Sequence, residues 1–259
     1  MENVDLVISM NYYRFCFLKY QLVNFNEYFV NMSYVVLLNV SADDFEEAKI
    51  YTKKLGNLCT FIINPVFTKR KRFHGSLTKC IVSNMQYIKD LQIDFKYFLV
   101  LSNRSILKDN CSLEDFKTEE KEMEQILSKK LYKVAGIPIR SKFRNHRNRI
   151  EPLCPNEINH DKLDQWHWPK FSQTKFFNRM RDLNSPCHAT PHEGLFFEKN
   201  TLGDILNFCN KNIEIIDDLF NFDWAVEELF FGTLCHHLKK PFGILSVFKF
   251  KFRNSYKLL

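Results

Sequence analysis

The residues Tyr34–Ile63 read YVVLLNVSADDFEEAKIYTKKLGNLCTFII and carry the pattern that decides the fold. Tyr34–Val40 is a continuous apolar run, which is typical of a buried strand. Ala42–Leu55 is amphipathic and acidic at its start, as a helix should be, and Cys59–Ile63 is a second apolar run. Strand, helix and strand in this order predict an α/β fold with parallel strands, in which ligands collect at the carboxyl ends of the strands.

The same alternation continues on both sides of this stretch. Further strands are predicted at Val4–Ser9, at Tyr97–Leu101, at the end of Pro186–Phe197 and at Gly243–Phe252. Further helices are predicted at Tyr13–Phe29, Phe73–Leu91, Ser112–Lys133, Leu202–Phe208 and Asp223–Leu238. No linker separates two cores, so we expect residues 1–259 to form a single domain with a mostly parallel central sheet flanked by helices. A basic, proline-containing stretch around residues 135–172 shows no clear period and is predicted to be a long inserted loop.

The composition is typical of a folded protein in a reducing compartment. The chain has 259 residues, of which 45% are hydrophobic, enough for a sizeable core. The eight cysteines form no Cys-x-x-Cys pair, which argues against a zinc ribbon or a thioredoxin-type dithiol. No signal peptide is visible, and Arg14, Lys19 and Glu27 interrupt the aromatic region Tyr12–Val30. We therefore expect no membrane span or anchor and, by default, a cytoplasmic location.

The formal net charge is +7, which suits a polyanionic partner. Much of the excess lies in Thr68–Arg72 (TKRKR) and Arg140–Arg149 (RSKFRNHRNR). Such runs contact phosphates in nucleic-acid binders, but they are also found in solvated loops and in sites for a nucleotide diphosphate. No aromatic strand of the RNA-recognition type accompanies them, so nucleic acid is not the expected partner.

Polar residues end several of the predicted strands. Asn39 and Asn64 follow apolar runs, Ser102–Arg104 follows the most hydrophobic strand, and His74 opens a turn before a predicted helix. Because the carboxyl ends of parallel strands meet at one edge of a sheet, these residues are candidates for contacting a ligand. Ordinary strand-ending turns explain them equally well.

The common signatures of nucleotide and metal enzymes are missing. The sequence contains no P-loop, no GxGxxG, no GxSxG, no HExxH and no strict Asp-x-Asp pair. We therefore expect no metal site and no cofactor. If the ligand is a nucleotide diphosphate, lysine and arginine side chains have to meet its charge.

The helix Asp223–Leu238 (DWAVEELFFGTLCHHL) carries the candidate for catalysis. Asp223 is placed to cap it, so that Glu227 and Glu228 fall near its first turn, where the helix dipole favours a carboxylate. An ionised carboxylate flanked by aromatic side chains is a plausible general base. Ordinary capping chemistry is the other interpretation, because acids are common in first turns.

In this order, the segments resemble the core-2/I-branching N-acetylglucosaminyltransferase family, which is glycosyltransferase family 14, or a divergent or truncated viral or microbial member of that family. The resemblance rests on a strand and long helix, then YFLVLSNRS (Tyr97–Ser105), then HEGLFF (His192–Phe197), and then a helix with Glu-Glu-x-x-x-x-Thr-Leu (Glu227–Leu234). It implies a Rossmann-like fold of GT-A type and an inverting, metal-independent transfer of a sugar. The implied donor is a UDP-sugar, with N-acetylglucosamine as the sugar, and the acceptor is a hydroxyl of a glycan or another molecule.

The resemblance also implies roles for individual residues. The second acid of the family's pair is the catalytic base, which falls on Glu228. The implied donor-binding residues are Asn39, Asn64, His74, Ser102, Asn103, Arg104, Lys239, Lys240 and Arg253. The implied acceptor-binding residues are His192, Glu193, Gly194, Trp224 and Glu227. The alternative function is a non-catalytic nucleotide- or carbohydrate-binding remnant of the same fold.

Overall fold

The structure, a computed structural model, describes residues 3–11, 15–65, 76–103, 105–128, 151–153, 171–183, 185, 187–189, 192–222, 226–245 and 248–250. The strands are β1 Val4–Asn11, β2 Tyr34–Asn39, β3 Thr60–Asn64, β4 Phe95–Ser102, β5 Ser105–Leu107, β6 Glu151–Leu153, β7 Cys187–Ala189, β8 Leu195–Glu198, β9 Gly243–Ile244 and β10 Phe248–Phe250. The helices are α1 Leu18–Tyr28, α2 Phe45–Lys54, α3 Ser76–Asp90, α4 Leu113–Ser128, α5 Lys175–Asp182, α6 Lys199–Lys211, α7 Ile213–Asn221 and α8 Glu227–Leu238.

The central sheet has six strands in the order β3-β2-β1-β4-β8-β9. The first four strands pair in parallel, whereas β8 runs antiparallel to both β4 and β9. The continuous apolar runs of β1 and β2 fit this position, because a parallel strand is covered by helices on both faces. The predicted α/β fold with a mostly parallel, helix-flanked sheet is therefore confirmed.

The strand order reverses between β1 and β4, which makes this boundary the switch point of the sheet. Leu22 of α1 and Ala48 of α2 pack with Ile8 on one face of the sheet. Ile81 of α3 packs with Val7 on the other face. The connections from β1 to β2 and from β2 to β3 therefore cover one face of the sheet. The connection from β3 to β4, through α3, covers the other face. In open α/β sheets, this arrangement leaves a ligand-binding crevice at the carboxyl ends of the two strands.

Helix α8 is embedded in the core of the protein. Its buried side chains, together with the residue before it, are Val226, Leu229, Phe230, Phe231, Leu234 and Cys235. The predicted cap at Asp223 is wrong, because the helix begins at Glu227 and Val226 is its N-cap residue. Val226 is fully buried, so the chain is already inside the core before the helix begins. Glu227 is consequently the first residue of the helix.

One further prediction is wrong, and two helices were missed. The single terminal strand predicted at Gly243–Phe252 is two strands, since β9 joins the central sheet and β10 pairs with β5. Helices α5 and α7 were not predicted from the sequence, although Thr174 caps α5 by accepting a hydrogen bond from the backbone N–H of Phe177 at 3.1 Å. Most of the predicted loop at 135–172 lies outside the described residues. Within the described ranges, no helix combines the length and the apolar composition needed to cross a bilayer.

Candidate functional site

A row of polar side chains crosses four neighbouring strands at their carboxyl ends. Asn39 of β2 is the register partner of Asn64 of β3 and of Asn11 of β1, and Asn11 is the partner of Ser102 of β4. Partners in parallel strands project to the same face of a sheet, so the four side chains share one face. We call Asn64, Asn39, Asn11 and Ser102 the amide row.

Helix α3 fixes the amide row from its own face of the sheet. The side-chain amide of Asn64 donates to Ser83 Oγ at 3.0 Å and to Asn84 Oδ1 at 2.9 Å. The amide of Asn84 in turn donates to Ser9 Oγ at 2.9 Å. Asn39, Asn64 and Asn84 are fully buried. A buried network of this kind holds its members rigidly, because each lost bond leaves a desolvated polar group.

The turn after β4 is held by a second network. Ser102 donates its backbone N–H to Ser105 Oγ at 3.2 Å. Gln21 of α1, which is fully buried, donates to the backbone oxygens of Ser102 at 3.2 Å and Ser105 at 2.8 Å. The end of β4 is therefore preorganised by a side chain from the other face of the sheet.

Two buried polar atoms flank the switch point without a hydrogen-bond partner among the described residues. They are Oδ1 of Asn11, at the end of β1, and Nδ2 of Asn103, directly after β4. Asn103 is only 4% exposed. An unsatisfied buried donor or acceptor costs about 1–3 kcal/mol, so native proteins keep few of them and often at functional sites. A ligand bound in the crevice could donate to Asn11 Oδ1 and accept from Asn103 Nδ2, and both of these atoms are already desolvated.

The turn His192–Glu193–Gly194 lies beside the end of β4. Gly194 donates its N–H to the carbonyl of Val100 at 2.9 Å and accepts the N–H of Leu245 at 2.9 Å. Its φ of 85° lies in the left-handed region, where a side chain is strained. Because β8 runs antiparallel to β4, its first residues reach the same edge of the sheet as the amide row.

The imidazole of His192 lies between two carboxylates. Its Nε2 is 3.3 Å from Oε1 of Glu193, and its Nδ1 is 3.7 Å from Oε1 of Glu227. The side chain of Glu227 is 4% exposed, that of His192 14% and that of Glu193 18%. Glu227 is the first residue of α8, where the helix dipole stabilises a negative charge. We call Glu193, His192 and Glu227 the acidic turn cluster.

The structure therefore brings two groups of predicted site residues to one edge of the sheet. The donor-side group there is Asn39, Asn64, Ser102 and Asn103, and the acceptor-side group is His192, Glu193, Gly194 and Glu227. His74, Arg104, Trp224 and Arg253 lie outside the described residues, and so does the side chain of Glu228. Their assignments stay predictions.

Lys239 and Lys240 are not brought to this edge. Lys239 is the left-handed C-cap of α8, and the helix has 12 residues. At about 1.5 Å of rise per residue, this end of the helix lies about 18 Å from Glu227. Lys240 forms an ion pair of 2.8 Å with Asp204 of α6, a helix that starts at the amino edge of the sheet. These lysines are therefore separated from the strand ends that were predicted to bind the donor.

Sequence reasoning missed three residues of the site, Asn11, Gln21 and Asn84. Asn11 could have been found, because it is a polar residue at the end of the apolar strand β1. The predicted strand, however, stops at Ser9. Gln21 and Asn84 lie inside helices whose other buried residues are mostly apolar. Their partners are 81, 84 and 75 residues away in sequence, and no local pattern signals contacts of that range.

Other chemistries find little support in the described part of the chain. Across those residues, no group of three His, Cys, Asp or Glu side chains is placed to hold a metal ion. Burial raises the pKa of the Cys59, Cys111 and Cys209 thiols to about 12, so their thiolate populations are negligible at neutral pH.

A buried acid marks the opposite, amino edge of the sheet. Tyr97 donates its hydroxyl to Oε2 of Glu120 at 3.3 Å. Burial, with the nearby carboxylate of Glu198, raises the pKa of Glu120 to about 7. A cavity of about 460 Å³ next to it is lined by Phe95, Lys96, Tyr97, Leu113, Lys117, Glu198, Lys199 and Asn200. Its three lysines pair with Asp5, Glu114 and Asp94, so this edge holds ion pairs already satisfied within the protein.

A larger cavity of about 580 Å³ is lined by Lys175, Glu214, Asp217, Asp218, Asn221 and Phe222. It lies between α5 and α7, away from the amide row and the acidic turn cluster. The backbone N–H of Lys175 donates to Asp218 at 2.8 Å across it. We place the candidate site at the carboxyl edge, because the buried unsatisfied atoms flank the switch point there.

Comparison with protein-family models finds none that matches the chain, and comparison with curated proteins finds no match either.

Proposed function

We propose that the chain is an inverting, metal-independent glycosyltransferase of GT-A type. It moves a sugar, N-acetylglucosamine in the first instance, from a UDP-linked donor to a hydroxyl of a glycan or another acceptor. The observation that carries the proposal is the pair of desolvated atoms, Asn11 Oδ1 and Asn103 Nδ2, at the switch point of a parallel sheet. This is the position at which open α/β sheets bind nucleotides.

The amide row suits the neutral parts of a nucleotide sugar. A side-chain amide offers both a donor and an acceptor, and so do the imide edge of uracil and the hydroxyls of ribose and hexose. Asn64 is fully buried and its amide already donates to Ser83 and Asn84, so it shapes the crevice. Asn11 Oδ1 is the atom of the row that has no hydrogen-bond partner among the described residues.

In the proposed reaction, the acceptor oxygen attacks the anomeric carbon while the carboxylate of Glu228 takes the hydroxyl proton. The bond between the anomeric carbon and the diphosphate oxygen breaks, and its electron pair leaves on UDP. Arg104 and Arg253 are the cations proposed for the diphosphate, since Lys239 and Lys240 lie at the far end of α8. Electrostatic stabilisation of a leaving group in this way is commonly a large part of catalysis.

The acidic turn cluster forms the acceptor side in this proposal. It adjoins the end of β4 and contains the first residue of the helix that carries Glu228.

A second candidate is a nucleotide- or carbohydrate-binding protein without turnover. The same two unsatisfied atoms favour a binding protein, because they could bind a ligand, and binding alone needs no catalytic base. The two candidates separate on whether bound UDP-sugar is consumed.

Replacing Asn103 by leucine tests whether the crevice binds the donor. Because Asn103 Nδ2 has no hydrogen-bond partner within the described ranges, an apolar side chain of similar size should leave the free energy of unfolding unchanged or raise it. The dissociation constant for UDP-N-acetylglucosamine, measured by titration calorimetry, should rise about 5- to 150-fold, since about 1–3 kcal/mol of hydrogen bonding is lost.

Asn84→Leu is the matched control, because Asn84 is also buried but is satisfied by Asn64 and Ser9. We expect that variant to lose roughly 1–3 kcal/mol of stability. The proposed donor site is contradicted if Asn103→Leu keeps the donor affinity of the parent protein.

A further inference from the structure

The two halves of the candidate site differ in charge. The donor half consists of the amide row and Asn103, all of which are uncharged side chains. The acceptor half contains one imidazole with a carboxylate 3.3 Å from its Nε2 and another 3.7 Å from its Nδ1. With both carboxylates ionised, this half carries a net negative charge. The contrast suggests that charge selects what binds on the acceptor side.

The acidic turn cluster has a buried end and an accessible end. Glu227 is 4% exposed and is fixed at the start of α8, and its carboxylate lies against Nδ1 of His192. The other ring nitrogen, Nε2, faces the carboxylate of Glu193, which is the most exposed of the three at 18%. Glu227 therefore makes an electrostatic contact with the imidazole at 3.7 Å, which is longer than a hydrogen bond, and the imidazole contacts Glu193 at 3.3 Å. Glu193 is the most exposed of the three side chains.

A carboxylate in this position selects among acceptors in two ways. It accepts hydrogen bonds from two hydroxyl groups at once, which suits neighbouring hydroxyls of a sugar. It also repels a second anion. At an effective dielectric constant of about 20, which is typical of pairs near a protein surface, two like charges about 4 Å apart lower the affinity by well over tenfold.

We propose that Glu193 determines acceptor specificity, an inference that rests on the proposed glycosyl transfer. It admits neutral and amine-bearing sugars, and it excludes sugars that carry a carboxylate or phosphate beside the reacting hydroxyl. His192 and Glu227 are positioning residues for this carboxylate. The acceptor class is therefore a neutral or cationic saccharide end and not a uronic acid or a sugar phosphate.

Three methyl glycosides that share the galactose ring and differ in charge test the inference. They are methyl β-galactoside, methyl β-galacturonoside and methyl 2-amino-2-deoxy-β-galactoside. Their binding to the full chain in the presence of UDP is compared by saturation-transfer NMR. We expect the amine to bind at least as well as the neutral sugar, and the uronate to bind at least about tenfold more weakly than the neutral sugar.

Glu193→Gln should bring the affinities for the neutral sugar and the uronate to within about threefold of each other, because the repulsive charge is gone while the hydrogen-bonding shape stays. Glu198→Gln is the matched control. It makes the same change at the last residue of β8, where Glu198 is the register partner of Tyr97 at the amino edge. That variant should keep the parent protein's ranking of the three sugars.

Equal binding of the uronate and the neutral sugar by the parent protein overturns the inference, and so does failure of all three sugars to bind. An unchanged ranking in Glu193→Gln also overturns it, provided that circular dichroism shows the variant folded. Affinity for UDP-N-acetylglucosamine is measured in the same samples. If the donor binds normally and the charge ranking fails, the acceptor inference is wrong and the proposed function stands. If the donor does not bind, the proposed function fails as well.

Discussion

Replacing Glu228 by glutamine is expected to lower turnover about 10²–10⁴-fold, the range typical of losing a general base. Glutamine keeps the shape of the side chain and removes its basicity. Donor affinity should stay nearly unchanged, because the base acts on the acceptor hydroxyl and not on the nucleotide. The measurement is the steady-state rate of UDP formation at saturating UDP-N-acetylglucosamine, together with the calorimetric affinity for the donor.

Glu227→Gln is the matched control for this substitution. Neighbouring helix residues point about 100° apart, and the structure directs Glu227 toward His192. We expect a much smaller loss of rate and a stability loss of up to about 1 kcal/mol from the weaker helix-dipole interaction. If the two variants exchange these effects, Glu227 is the base. If neither variant alters turnover, the proposed enzyme activity is refuted.

Gly243→Ala is expected to be the most destabilising single substitution that we propose. Gly243 of β9 pairs with Phe196 of β8, and a Cβ at this position would lie 2.2 Å from Cζ of the Phe196 ring and 2.5 Å from its Cε1. The ring has little room to move, because it packs edge-on against Tyr97 at 5.4 Å and Phe116 at 4.7 Å between centroids. We expect a loss of about 3 kcal/mol in the free energy of unfolding, measured by urea denaturation.

Gly203→Ala provides the control, since Gly203 lies inside α6 and its added Cβ would meet no heavy atom of the described residues within 4 Å. Alanine in a helix interior is favoured over glycine, so this variant should gain about 0.5–1 kcal/mol. Equal stability of the two alanine variants would show that β9 does not pack against Phe196 as described.

The parallel half of the sheet could be predicted from the sequence, because a strand covered on both faces has to be apolar along its whole length. The runs in β1, β2 and β4 satisfy that requirement, and each ends at a polar residue. The same physical rule located Asn39, Asn64 and Ser102 at the edge of the sheet. Strand register could not be predicted, so the alignment of these residues with Asn11 in one row emerges only from the structure.

The second half of the chain was harder to predict, because its strands are short. Strands β8 and β9 have four and two residues, too few to show a period or a direction. Because β8 runs antiparallel to β4, it ends at the amino edge of the sheet, and α6 begins there. Helix α8 then begins at the carboxyl edge. Lys239 and Lys240 therefore lie far from the strand ends, although they follow the candidate base closely in sequence.

The start of α8 shows a related limit of local patterns. Asp223 is a good capping residue by type, but the apolar Val226 is drawn into the core and delays the helix by four residues. Burial of a β-branched side chain outweighed the preference for a capping carboxylate, which is typically worth about 1 kcal/mol. That shift makes Glu227 the first helical residue and places it against His192.

The release of UDP from UDP-N-acetylglucosamine in the presence of EDTA tests the proposed function most directly. We expect the protein to hydrolyse this donor slowly without any acceptor and at the same rate with and without the chelator, and we expect Glu228→Gln to lower the release about 10²–10⁴-fold. Binding of the donor without release of UDP would contradict an enzyme and leave a binding protein. Release that is lost in EDTA and restored by Mn²⁺ would contradict the metal-independent mechanism.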